Sequence, residues 1–338
     1  MPDAKPRFER FWPRRGIMAT VEGRRIVGEV FRLSSIALTI AMLTLGVFSL
    51  GAYALGWLAG ETLADLAIGV VGGVIAVATA FAALPLVGRL SGLGDDIRLL
   101  ELCDPGAPLL RDLMEAAPGT YNHSIMTGAM AEAVAHEIGA NALLARAGAY
   151  YHDVGKIDRP KFFAENQMGT HNPHDVARPE QSAMVIIAHV QDGVERATRA
   201  RLPQPVIDIV AHHHGSSLVT FFYRKATAGG LVVNEAPFRY PGTIPQSREA
   251  AIVMLADAAE AAGRALADSG PVQIESAVRR IVESKRADGQ LADSGMSAAD
   301  TEAAVVVFSR MLSGQRHTRA EYPQTPSEGT EDVGESQL

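Results

Sequence analysis

The chain has 338 residues, 47% hydrophobic and 20% charged, enough to bury a full core and to form two domains. Its one cysteine, Cys103, excludes an internal disulfide and a cysteine-based zinc cluster. The net charge of -7 argues against a nucleic-acid polymer as main partner, because binding a polyanion draws on clustered basic side chains.

The charge is unevenly spread. Residues 1–32 carry eight Lys and Arg against four acids, without the spaced apolar pattern of a packed domain, and read as a basic cytoplasmic N-terminal segment. Ser34 to Gly60 holds no charged residue, Glu61 and Asp65 interrupt, and Leu66 to Gly88 is again uncharged. A run of roughly 20 apolar residues fills the hydrocarbon core of a bilayer. Residues 33–90 therefore predict two transmembrane helices joined by a short acidic turn. Arg24, Arg25 and Arg32 precede the first and Arg89 and Arg98 follow the second, which puts both termini in the cytoplasm. A cleavable signal peptide fits poorly, since the first apolar run lies far from the N-terminus and a second follows directly.

Residues 91–320 have the composition of a helical domain. A helix is expected over Pro118 to Ile138, where an initial proline does no harm. Asn141 is a candidate N-cap for Ala142 to His152, and Gly155 is expected to end that helix. Pro160 to Ala177 reads as a loop. A third helix, Pro179 to Val190, is expected to break near Asp192-Gly193 and to continue as Val194 to Arg201. Pro205 to His214 is a fourth, closed by Gly215, and residues 216–245 are mixed. Helices are also expected over Arg248 to Leu266 and Val272 to Arg286. Ser297 with Asp300 resembles a capping box for a helix through Leu312. No alternating strand pattern of useful length occurs, so the expected fold class is all-α. Residues 321–338, rich in Pro, Ser, Gly and acid, predict a disordered tail.

The organising stretch is Ala149 to Lys156, in which an imidazole and a carboxylate, His152-Asp153, stand where an apolar segment stops. Adjacent helical residues point about 100° apart, so the two reach one site only if a ligand sits between their directions. A metal ion is the natural one, because His nitrogen and Asp oxygen are common ligands and a carboxylate can bridge two cations. The dipeptide alone is more often a surface pair or a capped helix end. His123, His189, His213-His214 and Asp257 add candidates on separate predicted helices. His189 lies in an apolar run, where a lone histidine is usually a hydrogen-bonded core residue. Asp257 is harder to excuse, because an unpaired carboxylate on a buried face is costly and a cation removes the cost. Jointly these positions supply seven N and O ligands, enough for two divalent ions with open positions for water and substrate.

The ordered set H…HD…H…HH…D resembles the HD phosphohydrolase superfamily. Its local text is Pro118-Gly119-Thr120-Tyr121-Asn122-His123, His152-Asp153-Val154-Gly155-Lys156, His213-His214-Gly215 and Leu255-Ala256-Asp257. More narrowly it looks like the seven-transmembrane HD proteins, membrane-bound phosphodiesterases that hydrolyse cyclic di-AMP. Similar stretches are Phe162 to Gln167, Asn172 to Asp175, Phe238 to Gly242 and Asp288-Gly289-Gln290, so the resemblance covers roughly residues 86–322. It implies an HD-domain helical bundle behind the two-helix hairpin. It also implies a dinuclear manganese or iron centre held by His123, His152, Asp153, His189, His213, His214 and Asp257, with Asp153 bridging. Family members usually carry a large extracytoplasmic domain and seven membrane helices, of which residues 33–90 are expected to be the equivalent of the last two.

The expected reaction is attack of a metal-bridging hydroxide on a cyclic dinucleotide, cyclic di-AMP, giving pApA. Asp153 and Lys156 are the catalytic candidates. Lys156 could contact the phosphate as a point charge or stand solvated after the helix end. Arg239 and Tyr240 are candidates for phosphate or base contacts, with turn roles as the alternative, and the Asn172 to Asp175 loop for the pocket rim. The expected location is the bacterial inner membrane, multi-pass, with the HD domain in the cytoplasm; oligomeric state stays open, a homodimer included. Two rivals remain. One is an HD enzyme acting on cyclic di-GMP, guanosine tetraphosphate or a nucleoside monophosphate, though no Gly-Tyr-Pro signature accompanies the HD pair. The other is a receptor that binds a nucleotide without cleaving it.

Overall fold

The structure, a computed structural model, describes residues 93–167, 172–228, 230, 232–266 and 269–314, with isolated positions between residues 43 and 82. Those isolated positions are helical, and the large apolar side chains among them, such as Leu43, Val47, Val70 and Val74, are exposed. Among the described residues no helix is long and apolar enough to cross a membrane. The basic segment 1–32, the tail 321–338 and most of the expected hairpin lie outside the described residues.

The chain divides into two compact units, Met1–Asp104 and Pro105–Leu338. The first contains α1, Leu93–Leu102, with Asp95 and Asp96 in its first turn, where the exposed N–H groups favour negative charge. The second is built from α2 (Pro108–Ala116), α3 (Pro118–Ile138), α4 (Ala142–Tyr151), α5 (Pro179–Arg199) and α6 (Gln204–His212), followed by α7 (Thr220–Ala226), α8 (Arg248–Ala265), α9 (Pro271–Ala287) and α10 (Ala298–Gly314). The fold is all-α as expected. The one extended pairing among the described residues is an isolated antiparallel bridge, Leu218 to Arg239.

Local chemistry fixes the helix ends. Pro118 begins α3, where its missing N–H leaves no bond unmade, and Gly139 closes it at φ +67. Asn141 caps α4 by accepting from Leu144 N at 3.0 Å. Ser297 and Asp300 bond reciprocally, at 3.1 and 2.9 Å, at the start of α10. The main core lies among α3, α4, α8, α9 and α10, with Met130, Val134, Ile252, Leu255, Val278 and Phe308 all buried. A Cβ at Gly128 of α3 would lie 2.4 Å from the Tyr150 ring of α4, so this glycine lets the two helices approach closely.

Three expectations need correction. The third helix does not break at Asp192-Gly193; α5 runs unbroken from Pro179 to Arg199. A Cβ at Gly193 would lie 3.1 Å from Val210 Cγ1, so this glycine serves the close approach of α6 rather than a break. Gly155 is not a helix cap either. α4 ends at Tyr151, His152 keeps helical geometry as its C-cap, and Gly155 lies inside a 3-10 turn, Val154–Asp158. A Cβ there would fall 1.9 Å from the His189 carbonyl oxygen, so the glycine lets this turn rest on the backbone of α5. Finally, α2 and α7 occupy stretches to which the sequence pattern assigned no helix.

Candidate metal centre

Five helices and the turns that follow two of them deliver polar side chains to one buried point. His123 stands in the second turn of α3, His152 caps α4 and Asp153 follows it. His189 is central in α5, His213 caps α6 with His214 next, and Asp257 lies in α8. His123, His152, Asp153, His189 and His213 are each no more than 3% exposed.

Their ligand atoms form two facing groups. On one side His152 Nε2 and His123 Nε2 lie 3.1 and 3.6 Å from Asp153 Oδ2. The same two nitrogens lie 4.0 and 3.2 Å from Asp257 Oδ1. On the other side His189 Nε2 and His213 Nε2 are 3.3 and 3.8 Å from Asp153 Oδ1 and 3.2 Å from each other. His214 Nδ1 completes that side, 3.8 Å from Asp257 Oδ2. Asp153 thus turns one oxygen to each group, and Asp257 does the same. The trio His123, His152, Asp153 and the trio His189, His213, His214 each have ligand atoms within 4.8 Å of one another, as one ion requires.

The rings are held for this task. His152, His189 and His213 donate Nδ1–H to the carbonyl three residues earlier, Ala149, Ile186 and Val210, at 2.7, 2.5 and 2.7 Å. A carbonyl only accepts, so the proton sits on Nδ1 and the Nε2 lone pair is left facing the centre. His123 Nδ1 is bound instead to Glu260 Oε2 at 2.5 Å. A cation fits what remains. His152 Nε2 and both Asp153 oxygens are buried without a hydrogen bond, a costly arrangement that a divalent ion would resolve.

The electrostatics agree. Burial alone would raise the Asp153 and Asp257 carboxyls, but the facing histidines, and Lys156 beside Asp153, hold both well below the usual range. Burial and the neighbouring His152 and His189 push His213 down to about 3, so its ring is neutral at physiological pH. Burial and His213 likewise hold His214 well below its ordinary value. His123 goes the other way: burial opposes its charge, yet bonds to Asp257 and Glu260 push it up to about 9.

The other sequence candidates take different places. Lys156 lies beside the centre, its Nζ 2.7 Å from Asp153 Oδ2 in an ion contact outside hydrogen-bond geometry. It donates to Glu165 Oε1 at 2.8 Å and stands over the Phe163 ring, so its charge is already matched. Tyr240 stacks on His214, ring centroids 4.3 Å apart, at the rim of the centre. Arg239 is used in scaffolding: it donates to Ser216 O at 2.9 Å and to Asp288 Oδ1 at 3.1 Å. His174 in the Asn172 to Asp175 loop is buried, donates to Phe162 O and packs on Phe222, clear of the ligand groups.

Sequence reasoning missed the supports. Glu260 holds His123 and sits one turn after Asp257. Glu165 accepts from Thr120 Oγ1 at 3.0 Å as well as from Lys156, tying α3 to the turn after Asp153. Gln290, fully buried, pins the backbone N–H of Ser216 and so the loop that presents His214. The signal was present in the Asp288-Gly289-Gln290 stretch, but not its role.

Comparison with known proteins bears on this geometry. The HD domain family model matches residues 120–262, which include all seven ligand candidates. The cyclic-di-AMP phosphodiesterase PgpH of Bacillus subtilis is 41% identical over 268 residues, covering 79% of this chain and 38% of that protein. PgpH of Listeria monocytogenes is 39% identical over 263 residues, 78% of this chain and 37% of that protein. The chain therefore spans less than two fifths of the length of these relatives. A crystal structure of the L. monocytogenes PgpH HD domain in complex with cyclic-di-AMP is similar with TM-score 0.61 and 40% identity, covering 63% of this chain and 99% of that one.

Proposed function

The chain belongs to the HD-domain family, and on that premise we propose that it is a metal-dependent phosphodiesterase cleaving cyclic di-AMP to linear pApA. The observation that carries this reading is Asp153. Its carboxylate is buried, free of hydrogen bonds, and turns one oxygen to His123 and His152 and the other to His189 and His213. His123, His152, Asp153, His189, His213, His214 and Asp257 would hold two divalent ions, manganese or iron, with Asp153 offering one oxygen to each group. Such ions would supply a water of lowered pKa and polarisation of phosphoryl oxygens, which is what phosphodiester hydrolysis needs.

The chain's own residues position and protect. Nδ1 bonds fix three imidazoles, and Lys156, held by Glu165, balances the charge of Asp153. Asp257 and His214 are the more exposed of the seven, at 16 and 20%, so the scissile phosphate approaches over them. Tyr240, stacked on His214, offers a wall for a base. The cyclic di-AMP assignment draws on the relatives named for that activity and on the bound complex. We further infer that residues 33–90 anchor the chain in a bacterial inner membrane with the HD domain in the cytoplasm. The charge-free runs and the exposed apolar side chains between Leu43 and Val77 support this.

Purified protein loaded with Mn2+ or Fe2+ should release pApA from cyclic di-AMP and act more weakly on cyclic di-GMP, guanosine tetraphosphate and nucleoside monophosphates. Binding of one nucleotide with cleavage of none would sink the enzyme reading. Asp153→Ala should abolish turnover and lower bound metal, both measured on the same preparation; full rate with intact metal content would refute the bridging role.

A further inference from the structure

Between α8 and α9 runs a groove of about 390 Å³, lined on the α8 side by Ala258 and Ala262. Ala258, Ala262 and Ala277 make its floor, and Arg280 and Lys285 stand along its wall. Lys285 donates to the Ser217 hydroxyl, three residues past His214, and its charge is felt by His214 and Asp257, so this wall of the groove stands on the side of the two more exposed ligand candidates.

Its two cations lack anions. Among the described residues the one polar contact of Lys285 Nζ is the Ser217 hydroxyl at 2.8 Å, and no carboxylate lies within 4.0 Å of it. Arg280 likewise bonds a hydroxyl, Ser276 Oγ, at 2.8 Å. Arg279, the residue before it on α9, is by contrast paired with both Glu275 and Glu302. A partly buried ammonium without a counter-ion is costly, and burial does lower its basicity, against the pull of Asp257 and Asp288. An arriving phosphate would remove that cost, and the alanine floor leaves room for one.

We propose that this groove receives the second, uncleaved phosphate of the substrate, with Lys285 as its main ligand and Arg280 beyond it. The proposal rests on the cyclic-dinucleotide reading above, because only a substrate with two phosphates has an anion to place there while the other lies at the metals. Lys285 could instead serve as a brace between α9 and the loop carrying His214, and the test separates the two.

The full chain, loaded with Mn2+, is assayed on cyclic di-AMP and on bis(p-nitrophenyl) phosphate, which has a single phosphate. Lys285→Met should raise KM for cyclic di-AMP about tenfold with kcat nearly kept, and leave KM for the small diester unchanged. Lys285→Arg should restore the wild-type KM. Arg280→Glu, at an exposed position that carries no fold risk, should raise KM for cyclic di-AMP about threefold or more and spare the small diester. Unchanged KM for cyclic di-AMP in both Lys285→Met and Arg280→Glu overturns the proposal, as do equal losses on both substrates, which would mark Lys285 as a brace. Wild-type protein that cleaves the small diester but not cyclic di-AMP would instead overturn the functional reading, and this proposal with it.

Discussion

His123 differs from the other buried imidazoles in what holds its far nitrogen. A carboxylate, Glu260, takes the place of a backbone carbonyl, and with Asp257 it pushes the ring up to about 9. Protein stripped of metal by chelation therefore carries a proton on His123 at pH 7. Loading at that pH should release it, whereas His213, at about 3, has none to give. Titration calorimetry in buffers of different ionisation enthalpy reads this release. Glu260→Gln should reduce it and weaken metal binding by about 10–100-fold; an unchanged proton count would contradict the assignment. The sign for stability follows. A histidine raised above 6.5 stabilises fully below that pH, so the stripped protein should lose stability as pH rises from 6.5 to about 9. The seven positions that the structure gathers were legible only jointly, since each imidazole alone reads as a core residue, and it was their order along the chain that resembled a family. Glu260 was not, since a glutamate in the alanine-rich text Ala258-Ala259-Glu260-Ala261 reads as a solvated face until packing shows which side is buried. Lys285 was hidden for the same reason, in a polar stretch of α9.

Among the elements, the contact between the turn after Asp153 and α5 sets the distance between the two ligand groups. Gly155 rests against the His189 carbonyl, so the residue two beyond Asp153 touches the backbone of another ligand. Gly155→Ala forces that contact apart and should destabilise the fold by about 1–3 kcal/mol in denaturant unfolding, with metal affinity falling alongside. Wild-type stability together with wild-type affinity would show that the contact does not set the spacing. What sequence revealed at this scale was local: Pro118, Asn141 and the Ser297–Asp300 pair act within a turn of where they stand. Gly155 and Gly193 were misread as terminators because their purpose is a neighbour more than thirty residues away for the one and seventeen for the other, Val210. No local rule distinguishes a glycine that ends a helix from one that admits another.

For the whole molecule, the class was legible because no stretch alternates like a strand while several repeat like helices. The way the helices pack was legible only through the family resemblance, since ligand order along a chain does not fix how helices cross. Anchoring is tested at this scale. The full chain should stay with bacterial inner membranes after an alkaline carbonate wash, and a chain beginning at residue 91 should not; full-length protein in the wash supernatant would refute the anchor. The tethered rings have a further consequence. His152, His189 and His213 are tied to their own helices and buried, while His214 and Asp257, at 20 and 16% exposure, form the rim, and no ring nitrogen of His214 is hydrogen-bonded among the described residues. The centre therefore has a tethered floor and an untethered rim. On the proposed function an ion would enter and leave past His214 and Asp257, and a nucleotide lying across that rim would stand in its way.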